Sequence, residues 1–114
     1  MVNFSCLMKK KQADLYRIEP KGGNWYRLTA YLRKDGSLYL EGQDFTVAAS
    51  EMFGDEEYEY GYSFNPENAE KLKLALGVKD LVKGLVAFFN GELKNKEFLK
   101  FCEEHGVEYR RSSI

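Results

Sequence analysis

Apolar and polar residues alternate with a period of two through much of the N-terminal half, and the period lengthens to that of a helix after residue 65. Residues 25–33 place Tyr26, Leu28, Ala30 and Leu32 on one face and Trp25, Arg27, Thr29, Tyr31 and Arg33 on the other, as a half-buried strand requires. Lys34, Asp35 and Gly36 supply a hairpin turn, because glycine takes positive φ without a Cβ clash and aspartate tolerates the neighbouring position. Residues 37–43 return antiparallel with Leu38 and Leu40 inward. Residues 57–64 then set Tyr58, Tyr60, Tyr62 and Phe64 against Glu57, Glu59, Gly61 and Ser63. The three strands in succession predict a meander. Residues 14–19 predict an earlier strand ended by the turn residues 20–24, and Val2, Phe4, Cys6 and Met8 alternate as a further strand would. Residues 45–54 hold no period and read as a connection.

Beyond residue 65 the signals are helical. Asn65 is an N-cap, Pro66 fits the first helical position and Gly77 closes a helix over residues 66–76. Asp80 caps a second helix over residues 81–89, whose apolar positions 81, 82, 85, 86, 88 and 89 form a wide stripe and predict a well-buried helix. A third helix over residues 96–105 carries Phe98, Phe101, Cys102 and His105 at helical spacing and stops at Gly106, and residues 107–111 return as a short strand. Strands first and helices afterwards predict an α+β fold, an antiparallel sheet meander packed against about three C-terminal helices. At 114 residues the chain is long enough for one core and short for two, so a single domain is expected.

Composition adds the setting. With 44% hydrophobic and 31% charged residues the chain is globular rather than disordered, and no apolar run is long enough to span a bilayer. The N-terminal lysines follow the apolar residues instead of preceding them, the wrong order for a secretory signal. Cys6 and Cys102 stand near opposite ends without a CxxC motif, which points to a reducing compartment and a cytoplasmic protein away from membranes.

Net charge is −1, but its distribution is uneven. Between Asp35 and Glu70 there are ten acidic residues and no lysine or arginine, whereas residues 1–34 hold eight basic residues against Asp14 and Glu19. The stretch 35–44, with Glu57, Tyr58, Glu59 and Tyr60 and a closing His105, Gly106 and Val107, resembles a group of small bacterial proteins that carry no established activity. The resemblance implies a bacterial cytoplasmic protein and nothing catalytic.

Three readings of the chemistry follow. The acidic stretch, studded with Tyr39, Phe45, Tyr58, Tyr60 and Tyr62, suits a protein partner with a basic surface, in the style of small inhibitor or immunity proteins, with Asp44, Asp55, Glu56, Glu57 and Glu59 as contacts. A symmetric dimer through the aromatic sheet face is compatible with the same pattern. The alternative enzyme reading gathers Asp44, Asp55 and Glu57 around a divalent ion, although the spacing fits no EF-hand loop. A nucleic-acid reading uses Trp25, Arg27 and Arg33, which share one strand face; Glu41, Glu57 and Glu59 on adjoining strands would neutralise those arginines and argue against it. Cys102 and His105 share a helix face but are two ligands only, and a core cysteine beside a helix-ending histidine is the plainer reading. No GxGxxG, Walker A, HExxH or GxSxG motif occurs, so no cofactor, metal or catalytic residue is assigned.

Overall fold

A computed structural model describes residues 11–19, 23–45 and 58–113. Five strands form one antiparallel sheet in the order β1-β2-β3-β4-β5: β1 (Lys11–Ile18), β2 (Trp25–Leu32), β3 (Leu38–Phe45), β4 (Tyr58–Phe64) and β5 (Arg110–Ser113). Between β4 and β5 the chain makes three helices, α1 (Pro66–Leu76), α2 (Leu81–Phe89) and α3 (Asn95–Glu104). The α+β architecture expected from the sequence is therefore the one observed. The strand of residues 14–19 begins three positions earlier, and the closing strand is displaced to Arg110–Ser113, where it pairs with β4 through Ser63 and Arg110. The strand expected to end at Gln43 runs on to Phe45, which pairs with Trp25 instead of opening a connection; the expectations for residues 2–8 and 46–54 lie outside the described residues.

The helices lie on one face of the sheet. In the β2–β3 hairpin, residues equidistant from Asp35 are partners, so Leu28 pairs with Gly42, Ala30 with Leu40 and Leu32 with Leu38. Across β3 and β4, Leu40 meets Tyr62 and Leu38 meets Phe64. This row is buried under Leu72 of α1, Leu81, Leu85 and Phe89 of α2, and Phe98 and Cys102 of α3. Phe64, Phe89 and Phe98 join the sheet to α2 and α3, with ring centroids 6.1 Å apart for Phe64 and Phe98 and 5.3 Å for Phe89 and Phe98. Each such leucine or phenylalanine contributes about 1.5–3 kcal/mol by leaving water.

Capping fixes where the helices start and stop. The Asn65 side chain accepts from Asn68 N–H, and the Asp80 side chain accepts from Lys83 N–H while its other oxygen meets Lys11 Nζ at 3.1 Å, tying the start of α2 to β1. Val107 N–H returns to Cys102 O at 2.9 Å, and Val107 is itself buried, which closes α3 with a hydrophobic contact. The apolar stripe of α2 is wider than what it buries: Leu81, Val82, Leu85 and Phe89 are buried, whereas Val86 is 39% exposed. Among the described residues no helix is long and apolar enough to cross a membrane.

Candidate functional site

The face of the sheet away from the helices carries most of the polar chemistry. Period two places Trp25, Arg27, Thr29 and Tyr31 of β2 here, with Phe45, Gln43, Glu41 and Tyr39 opposite them on β3. At one end Trp25 stacks on Phe45, centroids 6.0 Å apart and planes within 3° of parallel. In the next row Arg27 Nη2 donates to Gln43 Oε1, and Gln43 Nε2 donates to Glu59 Oε1 at 3.4 Å. The amide thus relays a guanidinium to a carboxylate across three strands, so opposite charges are set off inside the row. Thr29 donates to Asp14 Oδ1 at 2.7 Å. Further along, the Arg33 guanidinium lies 5.4 Å from the centre of the Tyr39 ring, and that ring covers Gly61.

The helix side holds a second polar group at the same end as Trp25. Tyr16, Tyr60 and Asn95 form a closed ring: Tyr16 O–H donates to Asn95 Oδ1 at 2.8 Å, Asn95 Nδ2 donates to the Tyr60 oxygen at 2.9 Å, and the two phenol oxygens are 3.2 Å apart. If the Tyr60 proton turns to Tyr16, every member both gives and receives a bond. Burial pushes both phenols above their ordinary range, and each is raised further by the nearby charge of Asp44, so both stay protonated donors. Asp44 itself stands in register between Tyr26 and Tyr58. Its Oδ1 is inaccessible and has no hydrogen-bond partner among the described residues, and burial pushes its carboxyl up.

The sheet does not bring Asp44 and Glu59 to one surface. Asp44 pairs with Tyr58 and Gln43 with Glu59, so the two carboxylates occupy adjacent rows of opposite orientation: Asp44 faces the helices, and Glu59 faces away. Asp55, Glu56 and Glu57 lie outside the described residues. Among the described residues no three His, Cys, Asp or Glu side chains stand close enough to hold a metal ion. Trp25, Arg27 and Arg33 do share the helix-free face, as expected, but Trp25 is stacked on Phe45, Arg27 bonds Gln43 and Arg33 covers Tyr39. Cys102 is fully buried with its thiol pushed up to about 12 by burial and then by Glu103, while exposed His105 ends α3 with Nδ1 2.9 Å from Phe101 O. The core-cysteine reading of that pair is the observed one.

Gln43 escaped sequence reasoning although its position was within reach, since counting outward from Asp35 pairs it with Arg27. Asn95 gave no comparable signal, because its partners Tyr16 and Tyr60 are 79 and 35 residues away. No protein-family model, curated protein or solved structure matches the chain.

Proposed function

We propose that this chain is a non-enzymatic protein-interaction domain that receives a partner with basic side chains on the helix-free face of its sheet. The observation that carries the reading is the stacked, half-buried Trp25–Phe45 pair at the end of that face. Two aromatic rings held parallel by strand register are a preorganised anchor with little side-chain freedom left to lose, the kind of group that supplies most of the affinity at interfaces. Glu41 on the same face belongs to the acidic stretch and offers charge that a basic partner meets, whereas Glu59 is set off against Arg27 through Gln43. Single-stranded nucleic acid is a poorer fit, because Arg27 is already engaged through Gln43 and the phosphate backbone would face Asp14, Glu41 and Glu59.

The test is affinity capture at low and at high salt with the wild-type chain, Trp25→Ser and Glu41→Lys, each checked for an unchanged melting temperature. A basic protein held by the wild type at low salt, and lost by about thirtyfold in affinity in Trp25→Ser, supports the reading. The same proteins held equally by all three chains would overturn it.

A further inference from the structure

We propose that a cleft at the far end of the sheet, between the β2–β3 turn, the start of α1 and β5, binds the phosphate group of a phosphomonoester. The cleft has a volume of about 570 Å³, ample for a phosphate with an organic group attached. Arg33 lines it from the turn after β2 and Arg110 from β5, with Ser63 from the end of β4 and Asn65 from the residue before α1. Register fixes this arrangement, since Ser63 pairs with Tyr39 on one side and with Arg110 on the other, and the Arg33 guanidinium rests over the Tyr39 ring.

The chemistry of the lining is one-sided. Asn65 Oδ1 accepts both Asn68 N–H at 2.8 Å and Asn68 Nδ2 at 2.9 Å, which leaves the Asn65 amide nitrogen as a donor. Among the described residues, neither guanidinium has a carboxylate within ion-pair distance, and neither the Ser63 hydroxyl nor Asn65 Nδ2 has an acceptor. Two guanidinium-bearing residues, a hydroxyl and an amide nitrogen lining one cleft match the three terminal oxygens of a phosphomonoester better than the two of a carboxylate. Half-buried Tyr109 gives the cleft an apolar wall for the organic part. Glu108 is the only acidic residue among those lining it; its side chain is exposed, and its backbone N–H is held by Asn68 Oδ1 at 2.8 Å. This site stands at the opposite end of the face from Trp25 and is independent of the partner proposed for that end.

The experiment titrates the isotope-labelled full chain with phenyl phosphate, and in a parallel arm with malonate, at constant ionic strength, following amide shifts. Saturable shifts confined to residues around Ser63, Asn65 and Arg110 are expected, with affinity reduced about tenfold in Arg33→Gln and in Arg110→Gln. Glu108→Gln is expected to bind more tightly, and Lys34→Gln, which removes an equal charge one residue from Arg33, to bind as the wild type does. Shifts that never saturate would overturn the site, as would an equal loss in Lys34→Gln. Malonate binding as tightly as phenyl phosphate would overturn its assignment to phosphate.

Discussion

The Tyr60 ring lies over Gly42, its partner across β3 and β4, and occupies the space that a Cβ at position 42 would need. The contact holds Tyr60 flat against the sheet, where its hydroxyl reaches Tyr16 and Asn95. Gly42→Ala is therefore expected to cost about 1–3 kcal/mol by overpacking and to disturb the hydroxyl ring as well. Gly77→Ala serves as the contrast: φ there is 69° and nothing lies within 4 Å of an added Cβ, so only backbone strain opposes it, about 1 kcal/mol. Urea denaturation of both variants checks the order, and a Gly77→Ala loss equal to or larger than that of Gly42→Ala would contradict it.

Asn95→Ala strips two bonds from the buried ring and leaves Tyr16 O–H without its acceptor. A loss of about 1–3 kcal/mol is expected, because a desolvated donor keeps its penalty when its partner goes. Tyr16→Phe in the same background should add little further loss. A double-mutant cycle measures that coupling, and additive losses would show that the ring does not act as a unit.

Strand faces and helix ends were legible in the sequence because they depend on neighbours. Alternation along residues 25–33 assigned Leu28 and Ala30 to the core and Arg27 to the open face, and Asn65 and Asp80 marked the starts of α1 and α2. The acidic stretch was misleading at a finer scale, since runs of like charge say nothing about orientation. Asp44 and Glu59 sit in adjacent rows, and the strand period turns them to opposite sides. What joins distant segments was invisible: the Tyr16–Asn95 bond and the placement of Arg110 beside Ser63 both depend on where three helices return the chain.

Asp44 makes stability depend on pH. Its folded carboxyl is held above its ordinary range by burial, so the folded chain gives up this proton at a higher pH than the unfolded chain does. Below the unfolded value, near 4, both states are protonated and no penalty exists; it develops as pH rises from there and is complete above the folded value. Asp44→Asn is expected to exceed the wild type in stability at neutral pH, by a margin that closes on acidification. Urea melts at several pH values between roughly 3 and 8 test this, and a margin that grows on acidification would refute the sign.

The Cys102 thiol, buried and pushed up to about 12, is expected to resist thiol reagents at neutral pH. In a Cys6→Ser background, labelling should proceed only as fast as the chain opens and should quicken with urea. Labelling at the rate of a free thiol would mean that α3 is far less firmly docked than Phe98 and Val107 indicate.

The order of the sheet also sets an order of events at the ribosome. Strands β1 to β4 pair with their chain neighbours and emerge before residue 65, whereas the helices that cover Leu28, Ala30, Leu38 and Leu40, α1 to α3, come later. A nascent chain therefore passes through an interval with its apolar sheet face uncovered, and only after Glu104 does the chain supply β5, four exposed residues with two arginines, to finish the outer edge. Pauses in translation before the helices are made would lengthen that vulnerable interval, and slower synthesis of residues 66–104 is expected to lower the yield of folded chain.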